Sequence, residues 1–272
     1  VRIGKFKSLF CIEKLMILSI IATERKRGNS VLASKYIAKK LGEELEIINL
    51  AKKEIKPCKA CYQCLYGKDC KIEDDVEKIL QKIGVADRVI IVSPVYWLSA
   101  VGKLKAFLDR CFMAIRYYEM FKGKRCIVLT PHGFDDLVGW ASATHLVLAR
   151  ILGLDVLANI ELRSALPGEV FTDGETIKKL DMAVNILKKG ERVVMDSQCP
   201  VCMSAIFRVR NGKLECPICG TLLTQNLEVI EKGERFSQKW VVEHFSVELI
   251  ELKERYREIK EELKKAVDEL GV

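Results

Sequence analysis

"LMILSIIATERKRGNSVLASKYIAKKLGEELEIINLA", Leu15 to Ala51, decides the fold. Leu15 to Ala22 is an apolar, β-branched run of strand length. A polar loop follows, and then Val31, Leu32, Tyr36, Ile37 and Leu41 fall on one face of a helix. Leu45 to Ala51 returns as a second strand. Strands without polar alternation, joined through a helix, belong to a parallel sheet covered on both faces.

The alternation continues to about residue 190. "DDVEKILQKIGVA" (74–86) is a helix with its acids at the positive end of the dipole. "RVIIVSPVYW" (88–97) is a third strand running into a loop, and "KLKAFLDRCFM" (103–113) the next helix. "RCIVLTPHG" (125–133) and "DVLANIELRSAL" (155–166) read as strands four and five, with helical "ASATHLVLARILG" (141–153) between them. "ETIKKLDMAVNILKKGERVV" (175–194) closes the unit. The fold class is α/β, a doubly wound, flavodoxin-like five-stranded parallel sheet. Ligands then sit beyond the carboxyl ends of the strands at the switch point, so the loops after strands one, three and four form the site.

From Met195 the character changes. "DSQCPVCMSAIFRVRNGKLECPICGTLLT" (196–224) is a compact hairpin-like module. In the terminal helix Leu249, Leu252, Tyr256, Ile259, Leu263, Ala266 and Leu270 make a heptad seam, open to packing on its own chain or on a second copy. The expected domains are 1–194, 195–224 and 225–272.

A chain of 272 residues, 49% hydrophobic and without low-complexity tracts, buries one full core and carries a small appendage. The N-terminus is basic and then apolar, like a signal peptide, but Glu13 and Lys14 interrupt it and a first core strand is the better reading. Both Val1, on an alternative start codon, and Met16 are compatible starts. No apolar run reaches membrane-spanning length. Of the 11 cysteines, eight sit in two tight groups whose spacing suits metal chelation over structural disulfides, which implies a reducing cytoplasm.

The net charge of +8 is uneven: residues 1–60 carry 14 basic and 6 acidic side chains, and the remaining 212 balance at 31 of each. That excess reads as a solvated face with an anion site, or as a docking surface for an acidic partner. Nucleic acid is disfavoured, because no interleaved aromatics or recognition motif accompany it.

In the first loop, "ATERKRGNS" (22–30), Thr23, Asn29 and Ser30 offer hydrogen-bond donors and Gly28 lets the backbone approach closely. Arg25, Lys26 and Arg27 add charge, and a helix N-terminus stands behind, so the loop suits a phosphate. It matches neither glycine-rich nucleotide motif. After strand three, "SPVYWLSAVGKLKAFLDR" (93–110) puts Tyr96 and Trp97 where they wall a flat heterocycle or enter a subunit contact. His132 and Gly133 reach the same crevice, with His132 as a capping or core residue the alternative.

"PCKACYQCLYGKDC" (57–70) packs Cys58, Cys61, Cys64 and Cys70 into one loop. Zinc usually draws on two separated knuckles, whereas three closely successive cysteines favour a 4Fe-4S cluster. A redox-active or empty thiol loop is the alternative. Cys199, Cys202, Cys216 and Cys219 form two C-P-x-C knuckles, a zinc-ribbon pattern with a structural or docking role and rubredoxin-type iron as its rival. Arg208, Arg210 and Lys213 on the linker are the one place where that module could touch nucleic acid. Cys11, Cys111 and Cys126 lie among apolar residues as core thiols.

On "RKRGNS" (25–30), "PCKACYQCLYGKDCKIEDDVEKIL" (57–80) and "SPVYWLSAVGKLKAFLDR" (93–110), residues 15–190 resemble the NADPH-dependent FMN reductase branch of the flavodoxin-like proteins. Within it they resemble the iron–sulfur flavoproteins of anaerobic archaea and bacteria. The resemblance implies that Thr23, Arg25, Asn29 and Ser30 hold the FMN phosphate. It implies that Pro94, Val95, Tyr96 and Trp97 line the isoalloxazine, with His132 and Gly133 nearby. It also implies a cluster on the 58–70 loop, and a dimer or tetramer that sets the cluster of one chain near the flavin of another. The function expected is electron transfer from a one-electron donor, such as an acidic ferredoxin, to a two-electron acceptor. Its rivals are a cluster-free NAD(P)H-dependent FMN or quinone reductase, and a flavin redox sensor that binds a partner through its ribbon.

Overall fold

The computed structural model describes residues 15–134 and 137–269. The readings of Cys11, of the start at Val1 and of the seam's Ala266 side chain and Leu270 lie outside the described residues. Along the chain run β1 (Met16–Ile21), α1 (Asn29–Leu41), β2 (Glu44–Asn49), α2 (Val76–Val85) and β3 (Arg88–Val92). Then come a small hairpin, β4 (Val95–Tyr96) and β5 (Ser99–Ala100), followed by α3 (Gly102–Arg110) and α4 (Tyr118–Phe121). β6 (Arg125–His132), α5 (Ala141–Ile151), β7 (Asp155–Arg163) and α6 (Gly174–Lys189) complete the layered unit.

The sheet has five strands in the order β2-β1-β3-β6-β7, every pair parallel, as the strand–helix alternation requires. Side chains alternate between its faces with period two. Leu18, Ile20, Val89, Ile91 and Val128 face α2, α3 and α5, while Ile17, Ile21, Ile90, Ile127 and Leu129 face α1 and α6. α1 stops where Gly42 takes φ 71° and donates its N–H to the Ala38 and Lys39 carbonyls.

Two expected strands are shorter than their apolar patterns. β3 ends at Val92, because Pro94 lacks a donor for the ladder, and Val95 and Tyr96 fold back on Ser99 and Ala100. β7 ends at Arg163, and residues 164–168 turn in towards the first loop.

The second unit is a four-stranded antiparallel sheet of β8 (Arg208–Arg210), β9 (Lys213–Glu215), β10 (Leu222–Leu223) and β11 (Val229–Glu231). It is fastened to β7: Gln198 Nε2 donates to the Asn159 carbonyl at 2.7 Å, and Asn159 Nδ2 to the Met203 carbonyl at 3.0 Å. Last come α7 (Gln238–Glu243), a π-turn, α8 (Leu249–Glu258) and α9 (Lys260–Asp268). Val241, Phe245 and Leu249 pack with Tyr118 against Leu65 and Phe112, so the C-terminal segment braces the cysteine loop. The heptad seam leaves the chain after Leu249. Leu252, Tyr256 and Leu263 are exposed, and a break at Ile259 divides the helix.

Candidate functional site

Thr23, Arg25, Gly28, Asn29, Ser30, Pro94, Val95, Tyr96, His132 and Gly133 all line one cavity of about 240 Å³ at the carboxyl edge of the sheet. Trp97 stands outside it, 97% exposed at the hairpin tip. The cavity also takes in Phe134, just past the loop residues picked out after strand four, and Ser164 and Ala165, which sequence reasoning missed by running strand five through them. The overlooked signal was Pro167-Gly168, a turn dipeptide just downstream.

The first loop is tied down by hydrogen bonds from its own chain. Asn49 ties Thr23 from β2, accepting from its N–H at 3.2 Å and donating to its carbonyl at 2.7 Å. Asn29 Nδ2 donates to the Ser164 and Leu166 carbonyls, both at 3.0 Å, and its Oδ1 accepts from Gly168 N–H at 3.0 Å. Its amide is therefore structural, and what it can offer a ligand is its backbone N–H. Gly28 caps α1 without a side chain, so the first-turn N–H groups lack a side-chain acceptor. A Cβ on Gly28 would lie 3.2 Å from both Arg25 Cβ and Arg25 O. Glu24 is exposed and does not line the cavity. A close-approach glycine, an uncapped helix start and Arg25 at the rim fit a phosphate.

Cys58, Cys61, Cys64 and Cys70 line a second cavity, of about 440 Å³. Ala60 (φ 48°) and Tyr62 (φ 59°) on either side of Cys61 are left-handed, a conformation costing non-glycine residues roughly 1–2 kcal/mol each. Ala60 N–H lies 3.4 Å from Cys58 Sγ, and Arg110 Nη2 lies 3.5 Å from Cys70 Sγ. Burial, and then the neighbouring thiols Cys70, Cys58 and Cys61, push Cys64 up to about 11. A nucleophilic thiol needs the opposite shift, so Cys64 itself is poorly placed for that role. Thiols sharing one cavity, with N–H donors aimed at sulfur, fit an iron–sulfur cluster.

The ribbon cysteines are arranged differently. The sulfurs of Cys199, Cys202, Cys216 and Cys219 are buried and lie within 4.8 Å of one another. Among the described residues no other set of three or more such ligand atoms is drawn so close. Cys199 and Cys219 are 3.7 Å apart, and Cys202 and Cys216 3.5 Å. A tetrahedron with metal–sulfur bonds of about 2.3 Å has edges of about 3.8 Å, so this set suits one ion, whereas a cubane spreads its thiolates over several irons. Met203 N–H bonds Cys199 O, and Gly220 N–H bonds Cys216 O, each at 2.8 Å, so the two knuckles repeat one turn. Hydrogen bonds from Cys202 and Cys216 lower Cys199 to about 7, while bonding to Cys199 pushes Cys202 and Cys216 up. Bonding to Cys199, Cys202 and Cys216 lowers Cys219 as well, so two of the four thiols favour the thiolate and two resist it, a division that a divalent cation resolves. Arg208 and Arg210 both pair with the buried Glu215 carboxylate. Cys111 and Cys126 are fully buried, as core thiols should be.

The sequence model of a family described as NADPH-dependent FMN reductase matches residues 15–160. An iron–sulfur flavoprotein of Archaeoglobus fulgidus is 42% identical over 103 residues, 37% of this chain and 50% of that protein. An iron–sulfur flavoprotein of Methanosarcina thermophila is 33% identical over 122 residues, 44% of this chain and 64% of that one. The chain thus spans half of the first relative and under two thirds of the second. Among solved structures, a flavone reductase superposes with a TM-score of 0.61 at 19% identity, over 95% of this chain and 93% of its own, which shows a shared fold. The family match runs from β1 into β7 and crosses the first loop, the cysteine loop and the hairpin, and the chain belongs to the NADPH-dependent FMN reductase family.

Proposed function

We propose that this protein is an FMN-dependent oxidoreductase that joins a one-electron donor to a two-electron acceptor, with a 4Fe-4S cluster on Cys58, Cys61, Cys64 and Cys70. The observation that carries the reading is the pairing of a phosphate-shaped cavity after β1 with a four-thiol cavity in the loop after β2. The relatives' cluster-bearing names support it. Bound FMN supplies chemistry that exchanges electrons one or two at a time.

The protein's part is placement. Arg25, the hydroxyls of Thr23 and Ser30 and the first-turn N–H groups of α1 hold the phosphate. Pro94, Val95 and Tyr96 form one wall of the ring site, and His132 and Gly133 the other. Trp97 reaches past the mouth, and with exposed Phe134, Trp140 and Leu166 it makes an apolar rim that supports assembly of more than one chain. The ribbon holds zinc as a structural centre. The boundary expected at residue 224 falls inside the second sheet, because β11 (Val229–Glu231) pairs with β10, so residues 1–194, 195–231 and those from 232 onward divide the work as flavin domain, ribbon and brace.

The basic excess of residues 1–60 favours an acidic donor such as a ferredoxin, in a reducing cytoplasm. Anaerobic stopped-flow reduction tests this. Reduced ferredoxin should bleach the flavin with saturable rates that fall as salt rises. Flavin reduced by NADPH alone, in protein free of iron and sulfide, would instead establish the cluster-free reductase.

A further inference from the structure

Arg110 is the last residue of α3, and its side chain and that of Asp74 are each 2% exposed. Its Nη1 bonds the Asp74 carboxylate and also donates to the Lys56 carbonyl at 3.0 Å. Asp74 in turn accepts from Lys56 N–H at 3.0 Å through Oδ2, and from Val76 N–H at 3.1 Å through Oδ1. Lys56 lies two residues before Cys58, and Asp74 four residues after Cys70. The pair therefore pins both ends of the cysteine loop to the end of α3. The third contact is directed elsewhere: Arg110 Nη2 points to Cys70 Sγ at 3.5 Å.

A buried ion pair is a poor way to gain stability, because desolvating both charges offsets most of their attraction, and apolar residues of similar volume pack as well. The bond to sulfur gives this pair a different role. We propose that Arg110 is a positioning residue for the cluster, holding Cys70 as its fourth ligand and shifting the cluster's reduction potential towards more positive values. This rests on the cluster reading given above. Reduction adds one electron from the external donor to the cluster and its thiolates. A fixed cation, with an N–H donor on one of those sulfurs, favours the reduced state, and low dielectric strengthens the effect. Asp74 fixes the direction of the guanidinium, so that Nη2 faces the sulfur.

The test uses the full chain, purified anaerobically and loaded with iron and sulfide. Arg110→Lys keeps the charge but loses the planar fork. The double variant Arg110→Met with Asp74→Leu removes the pair without stranding a buried carboxylate. Potentiometric titration with dithionite, followed by electron paramagnetic resonance and visible absorbance, reads the cluster, and FMN binding checks the fold. The double variant should keep its flavin and show a more negative midpoint with shifted resonance lines, and the lysine variant an intermediate value. Loss of iron from a double variant that still binds FMN would also support the assignment, as a failure to hold Cys70. An iron-loaded double variant with wild-type potential and lines would overturn the role of Arg110 alone. Wild-type protein that takes up no iron and sulfide would overturn the cluster reading and this assignment with it.

Discussion

Asn29 shows where a motif is legible and where it stops being so. The run Gly28-Asn29-Ser30 after a β-branched strand marks a phosphate cradle, and the structure places all three residues in one cavity. Its side-chain partners are two carbonyls 135 and 137 residues away and an N–H 139 residues away, separations that local pattern does not register. Asn29→Ala should therefore act first on stability: losing three hydrogen bonds costs about 2–3 kcal/mol, measurable by urea unfolding, and FMN affinity should fall with it. A large loss of FMN affinity at unchanged stability would mean that the amide contacts the flavin after all.

His145 on α5 carries a separate consequence. It is fully buried, with Nδ1 2.9 Å from Thr130 Oγ1, and burial lowers its pKa from 6.5 to about 3. The unfolded chain takes up this proton near pH 6.5 and the native protein only near pH 3. Its contribution is complete above pH 6.5 and is lost as pH falls towards 3. Between pH 7 and 5 that is about 2 kcal/mol. His145→Gln should remove that part of the acid sensitivity in paired urea titrations, and equal acid slopes in both proteins would count against it.

Periodicity was enough to identify the five strands and the longer helices between them, because β1, β3, β6 and β7 are buried on both faces and only the edge strand β2 is partly open. The hairpin of β4 and β5 escaped it. Trp97 (φ 51°) and Leu98 (φ 61°) form a two-residue turn with both central residues left-handed, where Asn-Gly is the usual signal. Trp97 is 97% exposed, so the strain is not offset by packing. Trp97→Asn should raise stability by about 1 kcal/mol in thermal or urea unfolding, while weakening FMN binding or chain association. Unchanged association and flavin affinity would deny the indole any part in the site. The C-terminal helix shows the converse limit: its apolar stripe is plain in the sequence, but its solvent exposure depends on what α7 and the π-turn pack against.

Taken as one body, the molecule links its two cysteine groups through its C-terminal third. The knuckle spacing was readable at once. The attachments were not, because Gln198 to Asn159, Arg192 to the Pro200 carbonyl and Arg235 to the Pro217 carbonyl join segments with no shared pattern. Since the segment after the ribbon packs on Leu65 and Phe112, metal in the ribbon should support the cysteine loop as well. Removing the ribbon metal with a chelator should lower the unfolding temperature and change the fluorescence of Trp240, which packs in that segment. Metal analysis finding iron in the ribbon of a variant lacking the loop cysteines would reassign that centre.

The decisive measurement is the visible absorption of anaerobically purified protein during stepwise reduction, with iron and acid-labile sulfide counted on the same sample. Flavin bands riding on a broad sulfur-to-iron absorption that bleaches on reduction, with four irons and four sulfides per chain beyond the ribbon metal, are the predicted result. Flavin bands alone, in protein never exposed to air, would contradict the cluster and leave a simple flavin reductase.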